Sequence, residues 1–376
     1  MTDSVAAEAP TVADTTEEEL LRPIIAIFDE HNRWVAERNP DGELILGPGD
    51  DCAVYDLSSG RTVVTIDSQT QGQDYLLEWP CGYQTSGFDM GWKSAAQNLA
   101  DVAAMGAIPT GLVVSLVLPP TTALTMTEDI ARGYCAALRA LGASRCTIGG
   151  GDVGSGTELG ATVAAFGLVP LPREGARTTT ADAAVRRSGA RAGDLVVIAG
   201  TVGRAAAGLD VLRSGGHTRP VAATSDPVAW AHPRGGAEAL AASQLRPLPP
   251  IAMGPVLAEH GATAMIDVSD GLLKDAERLA RASGVSIDLD GGLLEPLLEP
   301  LRDEAARLGR DPWEWLLAGG EDHGLLATLP ASMPVPEGAR AIGFCGELSD
   351  RESLVVVDGR ARRHRGWDHF AAEDRV

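Results

Sequence analysis

The sequence predicts an α/β (α+β) fold of two domains, and three observations support that class. The chain has 376 residues, enough for about two domains of ordinary size. Segments with the apolar spacing of helices alternate with short apolar runs typical of strands in both halves. Residues 171–186 are rich in Pro, Arg, Thr and Ala without a clear period, which indicates a linker. We therefore expect an N-terminal domain at 20–170 and a C-terminal α/β domain at 187–376.

The first half begins with a segment that is not expected to fold. Residues 1–19 are rich in Ala, Thr and Glu without apolar periodicity, which predicts a disordered acidic tail. Gly106 follows the second predicted helix, at the position where a left-handed C-cap belongs. The predicted helices of this half are 20–35, 87–104 and 127–141, and its predicted strands are 44–46, 53–57, 62–66, 112–118, 147–148 and 159–169.

The second half alternates helices and strands without a visible repeat. Residues 214–235, rich in Gly, Pro, Thr and His, are typical of a surface loop. The predicted helices of this half are 204–213, 251–260 and 272–283, and its predicted strands are 195–199, 264–266, 286–289, 325–328 and 354–357.

Composition narrows the range of partners. Acidic residues outnumber basic ones by 52 to 31, and the resulting charge of −21 argues against a nucleic acid or an anionic membrane as partner. No apolar stretch approaches the roughly 18 residues of a membrane span, and the N-terminus lacks the pattern of a signal peptide. The five cysteines form no CxxC pair, which favours a reducing cytoplasm over a disulfide framework.

The feature that bears on chemistry is a set of aspartates at strand ends or in glycine-rich turns. Carboxylates are ligands that Mg²⁺ prefers, and neighbouring glycines let a backbone approach a phosphate. Turn formation alone explains any single motif, whereas the set as a whole indicates phosphate transfer. The set is Asp50 and Asp51 in GPGDD, Asp67 in TIDS, Asp101 in NLADVAAMGA, Asp152 in IGGGDVG, and Asp267 and Asp270 in MIDVSDGL.

Several familiar nucleotide-binding and catalytic motifs are missing. The chain has no GxxxxGK[ST] and no HRD or DFG, and its three successive glycines do not make a dinucleotide fingerprint. Its histidines are scattered and have no Ser or Cys partner in sequence. We therefore predict no side chain that acts as a general base.

The ordered motifs resemble those of the thiamine-monophosphate kinases, in the superfamily of aminoimidazole ribonucleotide synthetase and selenophosphate synthetase. The resemblance extends from about residue 20 to 370 and rests on GPGDDCAV, TIDS, WKSAAQNLADVAAMGA, IGGGD, RSGARAGD, MIDVSDGL and LAGGEDHGL. It implies a synthetase-like fold of two domains, in which the mixed N-terminal sheets of two subunits pair into a barrel across a homodimer. It also implies ATP as co-substrate, several Mg²⁺ ions and thiamine monophosphate as acceptor.

The resemblance also implies roles for individual residues. By motif, the metal positions are Asp51, Thr65, Ile66, Asp67, Asp101, Asp152, Asp267 and Asp270. The nucleotide positions are Gly151, Asp152, Arg187 and Ser269, and the substrate positions are Asp74, Glu321 and Trp367. The expected reaction is direct in-line transfer, because a phosphate acceptor is already largely dianionic at pH 7, with a second pKa of roughly 6.

Two positions depart from the family pattern. Asp74 stands where the family has a substrate-contacting His, and Ile66, where Thr is common, offers only its backbone carbonyl to a metal. Two alternatives to the kinase therefore stay open. One is another ATP-dependent enzyme of the superfamily, and the other is a non-catalytic protein that binds ATP or thiamine phosphate.

Overall fold

The computed structural model describes most of both halves of the chain. It covers residues 11–39, 44–46, 54–55, 60–170, 184–215, 236–348, 353–362 and 366. Among these residues the strands form two large sheets and one small pair. All four strands of the first large sheet precede residue 171, and all six strands of the second follow residue 186.

The first large sheet is mixed and has helices on one face. Its strand order is β3-β6-β4-β5, in which only β4 and β5 run parallel. Helix α2 packs on β3, β4 and β6, and α3 packs on α2. The elements of this half are α1 (Glu17–Arg38), β1 (Leu44–Leu46), β2 (Val54–Tyr55), β3 (Gly60–Thr70), α2 (Gly87–Ala104), β4 (Ile108–Leu118), α3 (Leu124–Ala140), β5 (Thr147–Ser155) and β6 (Gly160–Pro170).

The second large sheet has the order β12-β9-β11-β7-β10-β8 and is antiparallel except for the β12–β9 pair. Helix α7 packs against β8, β9 and β12, and α4 packs against α5. The mixed α/β (α+β) class is therefore confirmed. The elements are β7 (Leu195–Ala199), α4 (Arg204–Arg213), α5 (Gly236–Leu245), α6 (Met253–Glu259), β8 (Ala264–Val268), α7 (Leu272–Ser283), β9 (Val285–Leu289), α8 (Gly291–Leu298), α9 (Arg302–Leu308), α10 (Pro312–Ala318), β10 (Gly324–Leu329), β11 (Ala339–Glu347) and β12 (Val355–Val357).

Helix α2 lies between the two halves and connects their cores. Ser86 caps its first turn, accepting from the backbone N–H of Asp89 while the Asp89 carboxylate accepts from the backbone of Ser86. Most of the helix is buried, and it contacts α5, α6, β8 and β10 of the second half. At Gly91 an added Cβ would lie 2.0 Å from the carbonyl oxygen of Ile130, so glycine is what lets α2 approach α3 so closely.

The face of the first sheet opposite α2 carries exposed apolar side chains. Strand alternation places Val64 and Ile66 there, and their side chains are 62% and 67% exposed. The register sets Phe166 beside Val64 and Ala164 beside Ile66, so the apolar surface extends over two strands. Among the described residues no helix covers this face.

Several elements begin or end elsewhere than the sequence predicts. Helix α1 begins at Glu17, and a short 3₁₀ helix occupies Val12–Asp14, where the Val12 N–H donates to the Thr122 carbonyl at 2.8 Å. Part of the predicted disordered tail is thus structured, and residues 1–10 lie outside the described residues. Most of the predicted loop 214–235 and most of the linker 171–186 also lie outside them.

The sequence does not predict helices α5, α8, α9 and α10 or strand β11, all of which are among the described residues. Helix α5 is rich in alanine and has buried residues all round, so it shows no amphipathic period. Strand β11 contains Gly343 at a register shift, where a Cβ would meet the Asp288 carbonyl oxygen at 2.3 Å. Among the described helices, none has the length and apolar character to cross a membrane.

Candidate functional site

A cavity of about 400 Å³ opens between the two halves. Strand β3 and the segment after it form one wall, which includes Asp67 and Asp74. The turn after β8 and the loop after α10 form the other wall, which includes Ser269, Asp270 and Glu321. Polar residues from distant parts of the chain thus converge on one pocket.

Asp101 lies on α2 rather than in a turn, and it does not itself line the cavity. Its Oδ2 accepts a 2.7 Å hydrogen bond from Oγ1 of Thr65 on β3. Burial, and then the negative charges of Asp267 and Asp67, raise the pKa of Asp101 to about 6. Carboxylates from β3, α2 and β8 are therefore near enough to repel one another.

Asp267 is buried near the end of β8 and is paired with a histidine. His323 Nδ1 lies 3.1 Å from Asp267 Oδ2. Burial favours the neutral imidazole, but the hydrogen bond and charge of Asp267 outweigh it, so the pKa of His323 is raised above its ordinary value. His323 also lines the cavity, with φ at 53°.

The turn after β8 is held by the first turn of α7. Oδ2 of the fully buried Asp275 accepts from the backbone N–H of Asp270 at 2.9 Å and of Gly271 at 3.1 Å. The Asp270 carboxylate lies 2.5 Å from Arg278 and 3.5 Å from Lys274. The backbone of Asp270 is thus fixed, and its carboxylate faces both cations and the cavity.

The loop Gly319–His323 is hydrogen-bonded along the end of β8. The Glu321 N–H donates to the Ser269 carbonyl at 2.9 Å, and a Cβ at Gly320 would lie 2.0 Å from that same carbonyl oxygen. Glu321 has φ at 65°, a conformation that costs an L residue on the order of 1 kcal/mol. Asp322 accepts from the backbone N–H groups of Arg204 and Ala205 and so caps α4.

The Glu321 side chain has partners on both halves. Its Oε1 lies 2.7 Å from Lys93 Nζ on α2, and its Oε2 accepts from the side-chain amide of Gln244 on α5. Burial acts to raise the pKa of Glu321, but the Lys93 charge and these hydrogen bonds hold it below its ordinary value. Glu321 is therefore an anion with a fixed orientation.

Asp74 lies at the cavity, but part of its carboxylate serves the local backbone. Its Oδ2 accepts a 2.6 Å hydrogen bond from the Thr70 N–H, and its own N–H donates to the Thr70 carbonyl at 3.0 Å. This arrangement is a turn stabilised by Asp. The side chain at the substrate position thus also has a structural function.

The donor set suits a hard divalent cation. Asp67, Asp101 and Asp267 repel one another, and burial raises the pKa of Asp101, so the site has more negative charge than its histidine offsets. No three His, Cys, Asp or Glu side chains among the described residues are arranged as a metal site. The fit to a cation therefore rests on charge rather than on preformed coordination.

The structure brings together most of the residues predicted for the site. Asp67, Asp74, Ser269, Asp270 and Glu321 line the cavity, and Thr65, Asp101 and Asp267 are linked to it.

Four predicted residues lie elsewhere. Gly151 and Asp152 are in β5, an extended strand rather than a turn, at the edge of the sheet opposite β3. Arg187 is exposed and does not line the cavity, and the side chain of Ile66 lies on the open sheet face. Asp51 and Trp367, like the loop aspartate Asp50, fall outside the described residues.

Three residues of the site were missed by sequence reasoning. His323 directly follows the GGED motif, but it has no Ser or Cys partner in sequence that would indicate a catalytic histidine. Lys93 is one of only two lysines in the chain, Lys93 and Lys274, and that rarity is a signal that could have been found. Gln244 lies in a helix without a polar face, so the sequence pattern does not distinguish it from its neighbours.

Comparisons with known proteins fit this architecture. A family model for the N-terminal domain of AIR synthase related proteins matches residues 49–169. The thiamine-monophosphate kinase of Mycobacterium tuberculosis (strain H37Rv) is 35% identical over 372 residues, which cover 99% of this chain and 96% of that protein. The chain belongs to the thiamine-monophosphate kinase family. This match spans the second-half wall of the cavity as well as the first.

Solved structures of the thiamine-monophosphate kinase family have the same fold. AaThiL complexed with AMPPCP and TMP is 28% identical with a TM-score of 0.67, covering 89% of this chain and 95% of that one. Thiamine-monophosphate kinase from Stenotrophomonas maltophilia K279a is 30% identical with a TM-score of 0.67, covering 90% and 97%. The resemblance from the motifs is thereby confirmed.

Proposed function

We propose that this chain transfers the γ-phosphate of ATP to thiamine monophosphate and so forms thiamine diphosphate. The observation that carries the proposal is the cavity in which Asp67, Asp270 and Glu321 converge from both halves. Membership of the family supports it, as does the solved relative complexed with AMPPCP and TMP. The chemistry is positioning and charge neutralisation, for which the described carboxylates and cations are suited.

Magnesium is the cation that this donor set would hold. Mg²⁺ bound there would neutralise charge on the phosphates of both substrates. The crowded carboxylates Asp67, Asp101 and Asp267 support the proposal, because a cation relieves their repulsion. The proposed metal positions are Asp51, Thr65, Ile66, Asp67, Asp101, Asp152, Asp267 and Asp270.

The chain's own residues would bind both substrates in the cleft between the two halves. We assign nucleotide contacts to Gly151, Asp152, Arg187 and Ser269, and substrate contacts to Asp74, Glu321 and Trp367. Glu321 is an oriented anion, which suits the cationic thiazolium. No residue needs to remove a proton, because the acceptor phosphate, with a second pKa of roughly 6, is already an oxyanion.

A homodimer would bring Asp152, which lies far from the cavity within one subunit, to the site of a second subunit. Asp67 on β3 and Asp152 on β5 lie at opposite edges of one sheet with two strands between, about 14 Å at ordinary strand spacing. A second copy whose β5 edge meets β3 would supply Asp152 of the partner subunit. The exposed apolar face around Val64 and Ile66 supports this pairing, since barrel closure would cover it. The four described cysteines form no disulfide, which fits the cytoplasmic location that we infer.

The test is a coupled ADP assay with ATP and Mg²⁺, with and without thiamine monophosphate, in which the products are separated by chromatography. Thiamine diphosphate formed in step with ADP supports the proposal. ADP formed only with another acceptor would indicate a different ATP-dependent enzyme of the superfamily. ATP binding without turnover would indicate a non-catalytic binding protein.

A further inference from the structure

Lys93 is an unusual residue for its position. It lies on α2 among buried residues such as Trp92, Ala95 and Ala96, and it is only 4% exposed. An ammonium group withdrawn from water is strongly unfavourable unless it is paired. A buried lysine within a helical core therefore needs a reason beyond packing.

The composition of the chain makes the choice of lysine more informative. Lys93 and Lys274 are the only lysines among the 31 basic residues, so arginine is used almost everywhere else. Neither lysine lines the cavity itself, but each pairs with a carboxylate that does, Lys93 with Glu321 and Lys274 with Asp270. An ammonium is compact and donates in three directions, whereas guanidinium is a planar fork. Lysine at position 93 therefore indicates that a compact cation, rather than a guanidinium, is required there.

Lys93 contacts residues on both walls of the cavity. Its Nζ lies 2.7 Å from Glu321 Oε1 and donates to the Asp74 carbonyl oxygen at 3.1 Å. Asp74 and Glu321 are on opposite walls of the cavity, and both have proposed substrate contacts. One ammonium group therefore fixes the distance between two parts of the substrate pocket.

We propose that Lys93 is a positioning residue, which orients Glu321 and the Asp74 segment for the thiamine phosphate substrate and has no part in binding ATP. The inference rests on the proposed function. Lys93 acts through Glu321, which is itself held in a left-handed conformation by its backbone bond to Ser269. The Glu321 side chain is 34% exposed, so removing the lysine leaves an anion that water can still solvate.

The experiment compares Lys93→Met, which keeps the length of the aliphatic stem and removes the ammonium group, with the wild-type enzyme. We expect the KM for thiamine monophosphate to rise about tenfold or more. The KM for ATP and the dissociation constant of ATP, measured without acceptor, should stay within about twofold. A KM for thiamine monophosphate at the wild-type level would overturn the proposal, and so would an equal loss for both substrates.

A double-mutant cycle separates positioning from general stability. If Lys93 acts mainly through Glu321, then Lys93→Met raises the KM for thiamine monophosphate by a much smaller factor in the Glu321→Gln variant than in the wild-type enzyme. Independent, additive effects in the cycle would contradict the proposal. A wild-type enzyme that forms no thiamine diphosphate is a different outcome, which overturns the proposed function and this inference together.

Arg246→Met is the matched control. Arg246 and Asp89 form a cation–carboxylate pair at 2.6 Å that also joins the two halves. The Arg246 side chain is as buried as that of Lys93 and its carboxylate partner is more buried than Glu321, but neither residue lines the main cavity. We expect a lower Tm with both KM values unchanged. A rise in the KM for thiamine monophosphate in this variant would show that any broken inter-half pair has the effect, and would overturn the specific role of Lys93.

Discussion

Thr65 on β3 donates a 2.7 Å hydrogen bond from its Oγ1 to Oδ2 of Asp101 on α2. The bond joins the edge strand of the first sheet to the helix that lies between the two halves. Asp67 follows Thr65 by two residues and therefore lies on the same side of the strand. The carboxylates of β3 and α2 are thus presented by two regular elements that are fixed to each other, which suits a site that depends on position.

Asp101→Asn tests the proposed metal site directly. Turnover should fall at least about 100-fold, because the variant removes one carboxylate from the donor set. Without metal, the Tm should stay equal or rise, since burial and neighbouring carboxylates disfavour the charged form of Asp101. Steady-state assays with thermal unfolding in EDTA measure both. Near-wild-type turnover would remove Asp101 from the site.

Asp270→Asn should lose turnover to a similar extent but change stability in the opposite direction. The Asp270 carboxylate pairs with Arg278 and Lys274 in the apo protein, so the variant should lose up to about 1 kcal/mol of stability. Its backbone bond to Asp275 is unaffected. The free energy of unfolding and kcat are the measurements.

Glu277→Gln on the same helix is the control for Asp270→Asn. Glu277 forms an exposed pair with Arg281 away from the cavity, so both kcat and stability should be unchanged. An equal loss of kcat in both variants would mean that removing any negative charge on or near α7 lowers activity. Full activity in Asp270→Asn would refute the assigned role of Asp270.

The sequence predicts the helices and strands that have a clear apolar period, but it does not predict which elements pair or pack with each other. Helix 87–104 and strand 195–199 have the predicted bounds, because each carries a clear apolar pattern between turn residues. Asp152 could not be placed from sequence, because the order β3-β6-β4-β5 is not sequential and puts β5 at the far edge. The Lys93–Glu321 pair joins residues from different halves, and no local signal specifies such a contact.

Gly91→Ala should destabilise the fold by more than about 2 kcal/mol. The new Cβ would lie 2.0 Å from the Ile130 carbonyl oxygen, so α2 and α3 must separate, and this outweighs the roughly 1 kcal/mol that alanine gains in a helix. Denaturant unfolding measures the loss.

Gly142→Ala is the matched control for Gly91→Ala. Gly142 has φ at +77°, but nothing lies within 4 Å of an added Cβ, so only backbone strain of about 1 kcal/mol is expected. Equal losses in the two variants would show that close helix packing is not what Gly91 provides.

Val64→Lys tests the proposed dimer. Val64 is on the open apolar face of the first sheet, and a charge there should be buried unpaired if two sheets meet. Light scattering after size-exclusion chromatography should show a shift from dimer to monomer. Leu293→Lys on α8, where the side chain is 45% exposed, should leave the mass unchanged. A wild-type monomer, or a dimer in both variants, would contradict the pairing.

His31→Gln should flatten the acid side of the stability profile. His31 is fully buried on α1, with Nε2 2.9 Å from the Cys146 carbonyl oxygen, and burial lowers its pKa from 6.5 to about 4. As pH falls from 6.5 to 4, the unfolded chain takes up the proton first, so stability declines by up to about 1.4 kcal/mol per pH unit. Glutamine can donate the same hydrogen bond but does not titrate in this range. Urea unfolding at several pH values gives the slope of the free energy of unfolding against pH for the wild type and the variant. The carboxylates contribute equally to both proteins. Identical slopes would therefore mean that His31 is already protonated or solvated in the fold.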